Sequence, residues 1–197
     1  MTVAGPGSVA VFLGLWIGMS AAMMLPSAAP TISLFALARG DRERAATLST
    51  AVFVVGYLLA WSALGLAAYA VARALGSASP LDAMWSRRLE AGAFAAAGLY
   101  ELTPLKSACL RHCRSPLGFL VRKRRTWSLR LGLEHGAACI GCCAGLMLVL
   151  VALGAMSVLW MALVAGLIVL QKVLPHGDRA SVPLGVAFLA VAAGLLV

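Results

Sequence analysis

Residues 136–170 have the sequence GAACIGCCAGLMLVLVALGAMSVLWMALVAGLIVL and contain no charged side chain. A membrane span needs about 20 mostly apolar residues. This run of 35 residues is therefore too long for one helix and long enough for two. Gly154 and Ala155 form the natural tight turn between them. The stretch predicts two consecutive transmembrane helices, from about His135 to Leu153 and from about Met156 to Val173.

The composition of the whole chain is typical of a membrane protein. Of its 197 residues, 62% are hydrophobic and only 12% are charged, and the mean hydropathy is +0.95. These values lie outside the balance of soluble domains. The length provides about six spans with short connections. We therefore predict an all-α, polytopic membrane protein with six helices in a single integral membrane domain, residues 1–197.

Apolar runs before and after residues 136–170 predict the other four helices. They extend from about Ser8 to Pro26, Ala46 to Ala72, Leu81 to Leu102 and Val182 to Val197. The first lacks the positive n-region of a signal peptide, so we expect it to remain as a span. Pro26 and Pro30 predict that the backbone kinks or unwinds where this helix ends. Unwound backbone at membrane depth would line a cavity, and the alternative is a proline kink packed among neighbouring helices.

The third predicted helix has an acidic residue at each end of its uncharged run. Residues 91–100 carry no charge and are bounded by Glu90 and Glu101. Ten residues of helix are too short to cross the hydrocarbon, so a carboxyl must lie partway inside. Glu101 approaches the cysteines and has no basic residue within one helical turn. We expect it to be either a functional carboxyl or a structural one that is neutral or paired with Lys106.

A basic loop joins the third and fourth predicted helices. It holds eight of the 16 lysines and arginines, between Lys106 and Arg130, while residues 172–179 form the last polar loop. With six spans, 13 of the 16 fall on one side, which predicts that the basic loop faces the cytoplasm. Residues 117–130 are expected to lie on the membrane surface. Such loops contact anionic lipid, so nucleic acid is not an expected partner.

All five cysteines lie in or beside this loop, between Tyr100 and Met147. Cys109 and Cys113 are four residues apart, so on a helix they share one face, with His112 beside them. A second stripe follows the spacing i, i+4, i+7 and i+8 and is extended by a methionine four residues further on. It comprises His135, Cys139, Cys142, Cys143 and Met147. Because one loop joins the two stripes, they can face each other.

Thiolate, imidazole and thioether groups together favour a soft metal ion. Cu(I) is the leading candidate and Zn(II) the second, because zinc makes little use of thioether. Met23, like its neighbours Met19 and Met24, would offer a thioether deeper in the membrane, although packing is the usual role of methionine. The candidate metal ligands are Cys109, Cys113, Cys139, Cys142, Cys143, His112, His135, Met147 and Met23. The expected partners are the lipid bilayer and a protein that donates or accepts the metal.

Two other classes of function are open at this point. The helix dipole and the neighbouring Arg111 and Arg114 favour thiolates, as a membrane thiol–disulfide protein with a quinone-type partner would need. Against it, the Cys-x-x-Cys spacing stands outside a thioredoxin-like context, and the cytoplasm is reducing. The third class is a structural membrane subunit with cysteines as small hydrophobic residues. The sequence contains no paired catalytic acids, and we expect no further enzymatic activity.

The motifs resemble those of the bacterial predicted metal-binding integral membrane proteins, a family of unknown function sometimes labelled copper chaperones. The similar segments are MMLPSAAP (23–30), YELTPLK (100–106), CLRHCRSP (109–116), CIGCC (139–143), LM (146–147), GAM (154–156) and WM (160–161). The resemblance implies an inner-membrane protein that binds metal, usually copper. It implies no demonstrated transport or catalytic activity.

Two positions depart from that family pattern. Ala144 stands where an aromatic residue commonly follows the second cysteine group. Gln171 stands where an acidic residue commonly precedes the lysine near the end of the fifth helix. If the acid neutralises a cation or carries a proton in relatives, Gln171 does not do so here.

Overall fold

The computed structural model describes residues 6–38, 43–76, 83–115, 127–153, 158–174 and 177–196. These residues form α-helices, one 3₁₀ helix and short turns, with no strand among them. The seven α-helices are α1 (Pro6–Ala38), α2 (Glu43–Gly76), α3 (Ala83–Glu101), α4 (Pro104–Arg114), α5 (Ser128–Ala152), α6 (Val158–Val173) and α7 (Ser181–Leu196). The 3₁₀ helix, Gly177–Ala180, precedes α7. The prediction of an all-α fold is confirmed.

Three of the helices are long and apolar enough to cross a membrane. The apolar segments are Val9–Leu37 in α1, Ala46–Val71 in α2 and Ser128–Ala152 in α5. α6 and α7 are also apolar but have only 16 residues each. A count of six spans therefore depends on α3, α6 and α7 and stays a prediction.

The first helix is longer than predicted. α1 contains both Pro26 and Pro30 and continues to Ala38, so the predicted end at Pro26 and the unwound turn are wrong. Each proline removes one backbone donor, and the rest of the helical hydrogen bonds remain. Beside the first proline, the Ser27 hydroxyl donates to the Met24 carbonyl oxygen at 2.9 Å. The alternative of a proline-bearing helix packed against its neighbours fits this geometry.

The fourth predicted helix corresponds to α5, which begins at Ser128 instead of His135. The predicted start followed from the uncharged run of residues 136–170, which begins just after Glu134. In α5 the carboxylate of Glu134 instead accepts a hydrogen bond from Arg130 one turn earlier, with 3.1 Å between Nε and Oε1. A pair at this spacing suits a helix surface. The predicted turn at Gly154–Ala155 and residues 117–126 of the predicted surface segment lie outside the described residues.

The chain divides into two compact units, and α5 contributes residues to both. The first unit comprises Met1–Pro80 and Pro116–Ala137. Its core contains Phe35 and Phe53, whose rings stack at 4.8 Å, together with Leu131. α2 and α5 approach closely at Gly132, where a Cβ would lie 2.0 Å from the Phe53 carbonyl oxygen. Small residues allow such close backbone packing between apolar helices.

The second unit comprises Leu81–Ser115 and Ala138–Val197, and it contains all five cysteines. Its core is formed by Phe94, Ala97, Val149 and Ala192, from α3, α5 and α7. α3 and α7 meet at a pair of glycines, where a Cβ on Gly98 would lie 2.9 Å from the Gly185 carbonyl oxygen. The glycine contact packs α3 against α7. The shared core packs both helices beside α5, the helix that carries the second cysteine group.

Candidate metal centre

The first cysteine pair lies on a helix of its own within the predicted loop. The hydroxyl of Thr103 accepts a hydrogen bond from the backbone N–H of Lys106 at 3.3 Å, and Pro104 occupies the first turn. Both features favour the start of a helix. Cys109 and Cys113 consequently lie on one face of α4, and both are half-buried, whereas His112 is exposed.

The second cysteine group is fully buried on α5. The sulfur atoms of Cys139, Cys142 and Cys143 all lie within 4.8 Å of one another, and each residue is 2% exposed or less. The thiols of Cys142 and Cys143 both donate to the carbonyl oxygen of Cys139, at 3.1 and 2.9 Å. These bonds orient the sulfurs of Cys142 and Cys143, and the three sulfurs together could hold a metal ion.

The two cysteine groups meet within the second unit. The side chains of Cys113 and Cys142 share a hydrogen bond. This bond and burial raise the pKa of the Cys113 thiol above its ordinary value. Burial, and to a lesser degree the Cys142 sulfur, raise the pKa of Cys109 as well. Both residues of α4 therefore favour the thiol form, which a bound metal ion would convert to thiolate.

Gly141 permits this contact between α4 and α5. A Cβ at this position would lie 2.6 Å from the Cys109 Sγ, a distance that real Cβ atoms do not adopt. On the other side, the Tyr100 hydroxyl donates a hydrogen bond to the Gly141 carbonyl oxygen and ties α3 to α5. The glycine inside the CIGCC motif thus serves the packing of α4 against α5.

A buried polar cluster holds the start of α4 in place. Lys106 forms an ion pair with Glu101 and also donates to the Gln171 side-chain oxygen at 3.0 Å. The Gln171 amide donates to the same Glu101 oxygen at 3.4 Å. All three residues are buried. Of the alternatives predicted for Glu101, the geometry corresponds to the carboxyl paired with Lys106.

Lys172 is a site residue that the sequence analysis missed. The prediction placed it where the fifth helix meets the last polar loop and gave it no role, whereas at the end of α6 its Nζ lies 2.9 Å from the Cys139 Sγ. It is the single charged residue of α6. A lone lysine at the end of an apolar helix was the signal that could have found it.

The remaining candidate ligands are divided between the two units. Met147 is buried on α5, four residues after Cys143, in the unit that holds the cysteines. His135 belongs to the first unit, where its ring lies 5.9 Å from the rings of both Phe53 and Tyr57. Met23 is buried in α1, also in the first unit. Among the described residues, the group that could hold a metal ion consists of Cys139, Cys142 and Cys143. The ligand roles of the two histidines and the two methionines stay predictions.

Comparison with known proteins gives one informative result. No curated protein and no solved structure matches the chain. Residues 13–196 match the family PpoB2, which is described as copper chaperone. The match covers every helix of the second unit, including both cysteine groups, and it confirms the resemblance inferred from the motifs. This chain therefore belongs to the PpoB2 copper chaperone family.

Proposed function

We propose that this protein is an integral membrane chaperone for Cu(I). Cys139, Cys142 and Cys143 hold the ion, Cys113 is a fourth ligand that can exchange, and the ion then passes to a partner protein. The observation that carries the proposal is the buried group of three sulfurs within 4.8 Å of one another. The family's description as copper chaperone supports copper as the metal.

The donor set supports Cu(I) over other ions. Thiolate and thioether sulfur are the ligands that Cu(I) prefers, and this ion can be bound by a small number of ligands. The three sulfurs of α5 supply such a set, and the buried Met147 follows one turn later. Zinc sites often add imidazole. Among the predicted histidines, His112 is exposed and His135 packs between aromatic rings.

The difference in burial between the cysteine groups supports a transfer step. Cys113 is half-buried and shares a hydrogen bond with Cys142, which is fully buried. An incoming ion can therefore exchange between these two sulfurs without leaving sulfur coordination. Cys109, half-buried on the same face of α4, adds a second accessible thiol. A donor or acceptor protein would dock on this face.

The membrane location is part of the proposal. Large apolar side chains such as Val11, Leu15, Leu59, Leu66 and Leu163 are exposed on the long helices and on α6. An exposed apolar surface of this extent suits lipid. We assign six spans in the bacterial inner membrane, and the excess of basic residues in the cysteine segment supports a cytoplasmic site. Truncations fused to a reporter that is active on only one side of the membrane test both the span count and the side.

The metal content of purified protein tests the binding site. Wild type is expected to carry copper, and the double variant Cys139→Ser/Cys142→Ser is expected to lose it. Ala138→Ser, which adds a hydroxyl on the same turn of α5 and keeps every cysteine, is the matched control. Equal copper in wild type and in the double variant would exclude the site.

A thiol–disulfide function is the second candidate, because the side chains of Cys113 and Cys142 are in hydrogen-bond contact. The two thiols would form a disulfide, release two protons and give two electrons to a quinone-type acceptor. Thiol trapping in cells tests this function: a Cys113–Cys142 disulfide that forms during turnover supports it, and thiols that stay reduced under every condition contradict it. For a purely structural subunit, replacement of all five cysteines would affect stability alone.

A further inference from the structure

Lys172 brings a positive charge to the buried cysteine group. Its Nζ lies 2.9 Å from the Cys139 Sγ, and its ammonium also interacts electrostatically with Cys142, Cys143 and Cys113. The side chain is half-buried at the end of α6, a helix whose other residues carry no charge. The lysine thus contacts one sulfur of the group directly and acts on the other three through its charge.

The sulfur ligands favour Cu(I) but do not exclude Zn(II). Four cysteines are a complete ligand set for a structural zinc site. Cys113, Cys139, Cys142 and Cys143 could therefore bind zinc if nothing opposed it. A copper chaperone site that also bound zinc would be occupied by the wrong ion. A feature beyond the sulfurs is needed for discrimination.

We infer that Lys172 sets the metal specificity of the cysteine site, by disfavouring divalent ions relative to Cu(I). This inference rests on the proposed function. A fixed unit charge repels a divalent ion with twice the energy with which it repels a monovalent ion at the same distance. The N–H···S hydrogen bond to Cys139 meanwhile orients that ligand, as outer-shell partners of metal ligands commonly do.

The size of the effect follows from the distance. An ion bound to Cys139 through a metal–sulfur bond of about 2.3 Å lies about 5 Å or less from the Lys172 Nζ. At an effective dielectric constant of about 20, the extra repulsion on a divalent ion changes the relative affinity by roughly 100-fold. Movement of the lysine and partial hydration reduce this toward about tenfold. An effect of this size is readily measured.

The test compares the affinities of purified, metal-free protein for Cu(I) and for Zn(II), each by competition with a coloured chelator. Lys172→Met removes the charge, Lys172→Gln removes the charge and keeps an N–H donor, and Lys172→Arg keeps the charge. Arg73→Met is the control for net charge, since it removes one exposed positive charge from the first unit. Helical content and elution volume establish that each variant is folded.

Removal of the charge is expected to raise the affinity for Zn(II) relative to Cu(I) by at least about tenfold in both Lys172→Met and Lys172→Gln. Lys172→Arg and Arg73→Met are expected to keep the wild-type ratio. A wild-type ratio in Lys172→Gln, in protein that still binds Cu(I), would overturn the role of Lys172 and leave the proposed function intact. Failure of the wild type itself to bind Cu(I) would overturn the proposed function and, with it, this inference.

Discussion

Cys113 on α4 and Cys142 on α5 share a side-chain hydrogen bond, although 28 residues of chain separate them. Cys113 is half-buried, whereas Cys142 is buried. The pair therefore connects the accessible face of α4 with the buried sulfurs of Cys139 and Cys143. This contact gives the proposed site both a place to hold an ion and a route by which the ion enters or leaves.

The first prediction separates the entry ligand from the holding ligands. Cys113→Ser is expected to slow transfer of Cu(I) to a competing chelator and to lower affinity by about tenfold, because three sulfurs remain. Cys142→Ser is expected to lower affinity by at least about 100-fold, because it breaks the buried group. Equilibrium titration and stopped-flow exchange measure the two effects. Equal losses in both variants would show that the two cysteines do not differ in role.

The second prediction concerns the close contact at Gly141. Gly141→Ala is expected to push α4 away from α5 and to cost about 1–3 kcal/mol, because the new methyl group overlaps the Cys109 sulfur. Thermal unfolding in detergent and Cu(I) titration measure stability and site geometry. Cys109→Ala should relieve much of the overlap in the double variant. Gly166→Ala, where no atom lies within 4 Å of the new Cβ, is the control and should be tolerated.

The third prediction concerns the ion pair that anchors α4. Lys106→Met is expected to cost about 3–5 kcal/mol, because it leaves the Glu101 carboxylate buried without its counter-charge. Glu101→Gln combined with Lys106→Met should cost less than Lys106→Met alone, since no unpaired charge then remains. Denaturant unfolding of the two single variants and the double variant provides the comparison. Additive losses would contradict a direct interaction between the two residues.

The fourth prediction concerns removal of the metal. Bound Cu(I) is expected to stabilise the fold by about 2.7 kcal/mol when free Cu(I) is 100 times the dissociation constant, and a Cu(I) chelator should reverse the gain. Cys139→Ser/Cys142→Ser should show no such shift. If copper raised the unfolding temperature of wild type and of this variant equally, the ion would be binding elsewhere.

Much of the fold followed from local patterns in the sequence. The uncharged run of residues 136–170 predicted helices that correspond to α5 and α6, and the four-residue spacing of Cys109 and Cys113 predicted their common face. Helix limits were less predictable. Charged and proline residues were taken as boundaries, yet Glu134 is paired with Arg130 inside α5, and Pro26 lies within α1.

The tertiary partners in the candidate site could not be derived from spacing along the chain. Lys172 is 33 residues from Cys139, and Gln171 is 65 residues from Lys106. Their contacts arise because α6 packs beside α4 and α5, a relationship that no local pattern contains. His135 also has partners that spacing does not contain, since its ring packs against Phe53 and Tyr57, and its role as a ligand stays a prediction.

X-ray absorption spectroscopy of the copper-loaded protein at the copper edge tests the central claim most directly. We predict Cu(I) with only sulfur in its coordination shell, a signal retained in Ala138→Ser and lost in Cys139→Ser/Cys142→Ser. A coordination shell dominated by nitrogen or oxygen, or an unchanged sulfur shell in the double variant, would contradict the account.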